Sequence, residues 1–353
     1  MVAVTGATGH LGTVLVCELA RRGERVRYLA RAGSRVPALD ELERADVARA
    51  PAVERVDGGL FDRAALARAF GGADVVYHCA GLISFWPGNE AELHRVNVEG
   101  TRSVLAAARA ARVRRFVHVG SVEAFPLAGG DYPVSERHGI DPEATVLAYG
   151  RTKAQGMLDA LAAAGDGMDV LVCAPTAFVG PPDYRGSALG TFVLDYLRRR
   201  LPAYVDGGFD FVDVRDVADG VVRAGERGAS GRVYLLGGEY ATIPDIIGAL
   251  EEASGVARPL VKLPVRAILP FAGIVHLYCR ITGRPPRFTR GSLRLLSLGV
   301  RVDSSRARDE LGYAPRPLRE TLSDTVGWFA DEGLVRLDAA WDAGADRATG
   351  PAE

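Results

Sequence analysis

Residues 5–12 read TGATGHLG, which sets Gly6, Gly9 and Gly12 between an apolar run, VAVT, and a stretch, HLGTVLVCELARR, whose apolar residues recur at helical spacing. No other feature limits the fold as much. A strand that enters a helix through so short a turn, with glycine at those three places, reads as a βα unit whose backbone must come close to a ligand. Glycine permits the tight turn and the close approach. The first N–H groups of the helix then offer a partial positive charge to phosphate oxygens. A turn needed for packing alone would also favour glycine. In its strand–turn–helix context the loop predicts dinucleotide binding, with Gly6, Thr8, Gly9, His10, Leu11 and Gly12 as contact residues.

The rest of the first half repeats the alternation. RVRYLAR, ADVVYHCAG, RRFVHVGSVEAF and MDVLVCAPTAFVG read as strands. LFDRAALARAF reads as a helix capped by Asp62, and EAELHRVNVEGTRSVLAAARAA and AYGRTKAQGMLDALAAA as two more. Strands separated by helices imply right-handed crossovers and a parallel sheet covered on both faces. The expected fold is α/β: a Rossmann-type doubly wound parallel sheet with a smaller C-terminal substrate-binding lobe. After about residue 180 the pattern loosens into Pro- and Gly-rich turns, with FDFVDVRDVADGVVRAGE reading as a strand that enters a helix. Residues 1–180 are expected to form the dinucleotide-binding domain, with 210–238 returning to it. The lobe would comprise 181–209 and 239–335, and 336–353 a flexible tail.

A net charge of −1 supplies no bulk attraction for a nucleic acid or an anionic membrane. The apolar run 267–279 holds 13 residues between Arg266 and Arg280. A bilayer span needs about 20, so a helix of the lobe is expected, with contact to a membrane surface as the alternative. Cys17, Cys79, Cys173 and Cys279 lie far apart and form no CxxC or Cys/His cluster. They read as small buried hydrophobes in a reducing compartment, and no metal site is expected. The chain opens on a strand with no targeting segment ahead of it, so cytoplasmic residence is expected.

The second strand ends YLAR, followed by AGSR. An acidic residue at that point would accept from the ribose 2′-hydroxyl of NAD. Arg31 stands there instead, with Ser34 and Arg35 close behind. A guanidinium suits a 2′-phosphate, so NADP(H) is expected over NAD(H). A solvated arginine in an arginine-rich chain is the plainer alternative.

The chain has two lysines against 41 arginines, and one of them, Lys153, follows Tyr149 by four residues. On a helix that spacing puts both side chains on one face. An ammonium beside a phenol stabilises the phenolate and draws its pKa down toward working pH. Such a tyrosine can exchange a proton with an alcohol or carbonyl oxygen. Ser121, at the end of the preceding strand, could hold the same oxygen. A YxxxK spacing also arises on any solvated helix face, but lysine is scarce here.

Taken together, TGATGHLG, GLFD, HCAG, RVNVEGT, HVGSVEAF, YGRTK, APTAFVGP, FDFVDVRDVADG and the closing RVDSSRARDELGYAPRPLRETLSDTVGWF resemble the extended short-chain dehydrogenase/reductases over about 330 residues. Within them the chain looks most like the dihydroflavonol-4-reductase-like and 3β-hydroxysteroid-dehydrogenase-like branch. The resemblance implies that Ser121, Tyr149 and Lys153 form a catalytic triad, with Lys153 also on the nicotinamide ribose. It implies that Asn97 supports the site, that Ala80 and Gly81 lie against the cofactor, and that Pro175 and Val179 pack on the nicotinamide. Relatives often carry an Asp for the adenine where Gly59 stands here, so the Leu60 backbone is the expected substitute. Relatives often form dimers, and a homodimer through the helices spanning 90–112 and 148–164 is expected.

These residues suggest an NADPH-dependent oxidoreductase that reduces a ketone or aldehyde of a small organic substrate, or runs the reverse reaction on the alcohol. Glu123, Phe85 and Trp86 are candidate substrate contacts, each with an ordinary packing alternative. An NDP-sugar epimerase or dehydratase with tightly held NAD is the second reading, and a non-catalytic NAD(P)-sensing protein the third.

Overall fold

The computed structural model describes residues 1–44, 53–85, 88–127, 132–165, 167–268 and 290–337. The first half alternates β1 (Val2–Thr5), α1 (His10–Arg21), β2 (Val26–Ala30), α2 (Pro37–Arg44), β3 (Val53–Asp57), α3 (Arg63–Phe70) and β4 (Val75–His78). It continues with α4 (Glu90–His94), α5 (Gly100–Ala110), β5 (Arg115–Val119), α6 (Ala148–Ala162) and β6 (Asp169–Pro175). These six strands and β10 (Val233–Leu236) form one parallel sheet, in the order β10-β6-β5-β4-β1-β2-β3. That is the doubly wound order. Its direction reverses between β1 and β4, which opens a crevice beyond the carboxyl ends of those strands.

Both faces of the sheet are covered, so its strands are apolar without alternation. Val2 and Val4 face a cluster with Leu15 and Leu19 of α1 and Tyr28 of β2. Ala3 faces the opposite cluster, with Leu66 of α3, Val104 of α5 and Met157 of α6. Each fully buried Val or Leu contributes about 1.5–3 kcal/mol relative to exposure. Asp62 caps α3 as its position suggests, accepting from the Ala65 N–H at 3.0 Å. Helix α1 begins at Gly9 with no side-chain cap.

The long helix expected over 90–111 is interrupted. Residues Arg95–Glu99 form a π-helical turn between α4 and α5, and Asn97 sits inside it. The strand expected through HVGSVEAF stops at Val119, and Val122–Ala124 is a 3₁₀ turn.

The second half adds β7 (Ala177–Val179), α7 (Ala188–Leu197), β8 (Ala203–Val205), β9 (Gly208–Asp213) and α8 (Val214–Arg227). After β10 come β11 (Glu239–Thr242), α9 (Ile243–Ser254), β12 (Val261–Leu263) and α10 (Val265–Ile268), then α11 (Arg290–Ser297), α12 (Ser305–Leu311) and α13 (Leu318–Asp331). β9 does not join the large sheet. It lies between β7 and β11 in a three-stranded sheet. The chain returns to the large sheet at α8, whose Val217 and Val221 join the cluster around α1, and at β10 on the sheet edge. Most of the apolar run 267–279 and of the 336–353 tail falls outside the described residues. No described helix is long and apolar enough to cross a membrane.

Candidate active site

The glycine loop occupies the crevice between β1 and β4. Gly6 has φ +73°, the left-handed region glycine favours, and a Cβ there would fall 2.5 Å from the Ala80 nitrogen. A Cβ on Gly12 would fall 2.1 Å from the Gly6 carbonyl oxygen, so this glycine lets the helix seat on the turn. Gly9 differs: its nearest protein atom, the Gly6 oxygen, would lie 3.2 Å from an added Cβ. Two glycines therefore serve the turn, while the middle one leaves room above the uncapped start of α1. That cradle fits a dinucleotide pyrophosphate.

Two contacts from beyond β7 reach the same loop. His10 donates from Nε2 to the Gly180 carbonyl at 2.8 Å, with its ring 5.7 Å from that of Phe178. Arg185 donates from Nε to the Thr8 carbonyl at 2.8 Å. Sequence reasoning missed Arg185, because it lies 177 positions from its partner in a Pro- and Gly-rich segment.

One strand over, helix α6 brings the other candidates together. Small residues let it approach closely: a Cβ on Gly150 would fall 2.4 Å from the Glu123 oxygen, and one on Gly156 2.6 Å from the Asn97 oxygen. Tyr149, Lys153, Ser121 and Asn97 are all buried. The Lys153 ammonium donates to the carbonyl of Val119, the last residue of β5, at 2.6 Å. A Cβ on Gly81 would lie 3.4 Å from Asn97 Oδ1 and 3.6 Å from Lys153 Nζ, so all three share one wall. Asn97 accepts from the Leu82 N–H at 2.8 Å and donates to the Leu82 carbonyl at 3.0 Å and to Thr152 Oγ1 at 3.1 Å. The π turn thus aims Asn97 at the chain leaving β4. Phe85 sets its ring edge-on to that of Tyr149, with centroids 5.7 Å apart. Trp86 lies outside the described residues.

The electrostatics depart from the sequence expectation in one respect. Burial pushes the Tyr149 hydroxyl up rather than down, Glu123 pushes it further, and a hydrogen bond with Ser121 opposes them. The dominant cause is the desolvation of the phenolate, not the Lys153 charge. Burial also draws Lys153 down to about 8. Glu123 is pushed up to about 8 by burial. Its Oε2 is buried with no hydrogen-bond partner. Beneath Lys153, His78 and His118 stand in register on β4 and β5. Burial first and the Lys153 charge second hold both below the usual imidazole range, His78 at about 3. The floor under Lys153 is therefore neutral.

Arg31 and Leu60 follow β2 and β3, which have two and three strands between them and β5, the strand that leads to Ser121. Arg31 is exposed, and its loop is braced by Arg55, which donates to the Ser34 and Arg31 carbonyls at 2.6 and 3.1 Å. The Leu60 carbonyl accepts from Ser103 Oγ at 2.6 Å. Pro175 ends β6 opposite Leu236, and Val179 is paired with Asp213 in the smaller sheet. No group of His, Cys, Asp and Glu among the described residues could hold a metal ion.

Residues 2–237 match the model of the NAD dependent epimerase/dehydratase family. The chain is 41% identical over 334 residues to sterol demethylase protein B of Methylococcus capsulatus, covering 94% of this chain and 99% of that one. It is 34% identical over 332 residues to the 4-hydroxy-2-methyl-3-oxo-4-farnesyl-3,4-dihydroquinoline-1-oxide ketoreductase of Stigmatella aurantiaca, covering 92% and 94%. Among solved structures, that of gox2253 superposes with a TM-score of 0.80 at 32% identity, covering 95% of this chain and 99% of that one. The chain belongs to the NAD dependent epimerase/dehydratase family of extended short-chain dehydrogenase/reductases, in the branch that holds dihydroflavonol-reductase-like and 3β-hydroxysteroid-dehydrogenase-like proteins, and is an NAD(P)-dependent oxidoreductase.

Proposed function

We propose that this chain is an NADPH-dependent ketone reductase, with Tyr149 as proton donor, Ser121 holding the substrate oxygen and Lys153 as the charge beneath them. The observation that carries the reading is the buried Tyr149–Ser121 pair with Lys153 one helical turn away. A tyrosine pushed up by burial keeps its proton, which suits an acid that protonates the oxygen of a reduced carbonyl. The Ser121 hydroxyl lies close enough to address the same oxygen, and Asn97 keeps the chain after β4 in place. Once bound, the nicotinamide supplies the hydride. The chain's own residues receive the dinucleotide on the Gly6–Gly12 turn and the α1 N-terminus, with Ala80 and Gly81 alongside.

Arg31, exposed at the end of β2 on a loop that Arg55 stiffens, is our candidate for the 2′-phosphate. Residues 1–180 and 210–238 would hold the cofactor, and 181–209 with 239–335 would form the lobe that meets the substrate. The Phe85 ring against Tyr149 supports an apolar substrate frame. The name of the Stigmatella relative specifies a 3-oxo group beside a 4-hydroxy group on a farnesylated ring system. That supports a ketone on a large apolar skeleton here. A homodimer through the helical stretches 90–112 and 148–164 belongs to the same reading.

The test is NADPH oxidation against a panel of aliphatic, aromatic and alicyclic ketones. Tyr149→Phe should lower kcat by about 10³-fold while NADPH still binds, since proton transfer by a positioned acid is worth about 10²–10⁴. A Tyr149→Phe protein with wild-type turnover would sink the mechanism. Arg31→Ala should lower the NADPH-to-NADH ratio of kcat/KM by about tenfold, the scale of one lost charge-assisted hydrogen bond. An unchanged ratio would move the 2′-phosphate contact elsewhere.

A further inference from the structure

Glu123 is placed as firmly as Ser121 and Tyr149, yet the proton-transfer scheme does not use it. Its backbone is fixed at both ends: its N–H donates to Ser121 Oγ at 3.2 Å, and its carbonyl packs on Gly150, one residue after Tyr149. Its side chain bends inward, leaving Oε2 buried and without a partner. Ser121, which accepts from its N–H, and Gly150, which packs on its carbonyl, flank Tyr149, so Glu123 borders the same pocket as the phenol. A buried carboxyl oxygen with nothing to bond is costly, and a fold keeps one where a partner arrives later. In the ketone-reductase reading, two hydroxyls, those of Ser121 and Tyr149, already address one substrate oxygen. A carboxyl beside them addresses a different one.

We propose that Glu123 is a specificity-determining residue that hydrogen-bonds a second substrate oxygen, carried on a carbon next to the carbonyl carbon that is reduced. This rests on the ketone-reductase reading. The substrate class follows: apolar ketones with a neighbouring hydroxyl or second carbonyl. Burial keeps Glu123 protonated at neutral pH. A protonated carboxyl carries one donor and an acceptor, so it serves a hydroxyl or a carbonyl alike. It also repels no electron-rich oxygen, as a carboxylate would.

The experiment compares 1-phenyl-1,2-propanedione with propiophenone, two ketones that differ by one vicinal oxygen. The readout is the ratio of their kcat/KM values with NADPH in wild type, Glu123→Leu and Glu123→Gln. The ratio should fall about tenfold in Glu123→Leu, the worth of one net hydrogen bond to a substrate. In Glu123→Gln, which keeps a donor and an acceptor, it should stay within about threefold of wild type. NADPH fluorescence titration checks that each protein is folded, and Glu123→Ala replaces the leucine variant if that one fails to bind. A ratio unchanged by both Leu and Ala overturns the inference and leaves the reductase reading standing. A wild type inert toward the whole ketone panel overturns the reading itself.

Discussion

Two regions of the molecule bury charge, and they do so in opposite ways. Where β9 runs into α8 beneath α13, the carboxylates are matched. Asp213, fully buried, accepts from the Arg215 N–H at 2.7 Å and from its guanidinium at 3.0 and 2.7 Å. Arg215 continues to Asp324 at 2.6 Å. Arg316 takes Asp216 in a fork, at 2.9 and 3.1 Å, and adds its own N–H at 2.8 Å. At the carboxyl edge of the large sheet, Lys153 is buried and Glu123 is half-buried with its Oε2 enclosed, and neither has an ion-pair partner among the described residues. Matched charges cancel much of their desolvation and hold two parts of the chain in register. Unmatched ones keep shifted pKa values, which is what proton chemistry requires, and they cost stability.

The contrast can be broken most directly at Lys153. Lys153→Arg keeps the charge but replaces a compact ammonium with a planar fork, in a space closed by Gly81 and Asn97. Turnover should drop about 100-fold, the scale of a misplaced catalytic group. Lys262→Arg, on exposed β12, should lose little and serves as the control. Equal effects would mean that the ammonium has no special place. Wild-type kcat should also fall as pH rises past about 8, where Lys153 loses its proton.

The matched region should answer in the other currency. Arg316→Leu leaves the Asp216 carboxylate buried without its fork and should cost about 2 kcal/mol of stability, at the low side for a half-enclosed pair. Specific activity of the folded fraction should be unchanged. Urea titration beside single-point kinetics separates the two, and a lost turnover at full stability would erase the distinction between the regions.

A smaller effect sharpens it. Glu123 has a folded pKa of about 8, raised from 4.5. Stability from burying the neutral acid is therefore fully present below about pH 4.5 and is lost as pH rises through 8. Glu123→Gln never ionises. Its melting temperature should gain on wild type between pH 4.5 and pH 8.5 by a few degrees, about what 1 kcal/mol yields in a chain of this size. A constant difference across that range would show that the carboxyl is solvated.

Much of this architecture was legible in the residues. The alternation of apolar runs and helical periodicity gave the doubly wound sheet, because each βα unit is decided within a few tens of residues. The glycine turn and the four-residue spacing of Tyr149 and Lys153 were readable for the same reason, and so was Asp62 as a cap, confirmed at α3. Other features depend on partners far along the chain. The π turn that aims Asn97 exists because its side chain binds the backbone of Leu82. β9 read as a strand, but its neighbours are β7 and β11, which no local pattern announces. Arg185 at the glycine loop carried no sequence signal at all.

The sequence by itself determined which groups the chain offers for chemistry: a glycine turn before a helix, and a phenol and an ammonium one turn apart. Local stereochemistry dictates both. Only the tertiary structure decided the electrical state of those groups. Burial pushes Tyr149 and Glu123 up and draws Lys153 down. A pKa is set by the solvent that is removed and the charges that arrive, and both come from chain segments distant in sequence.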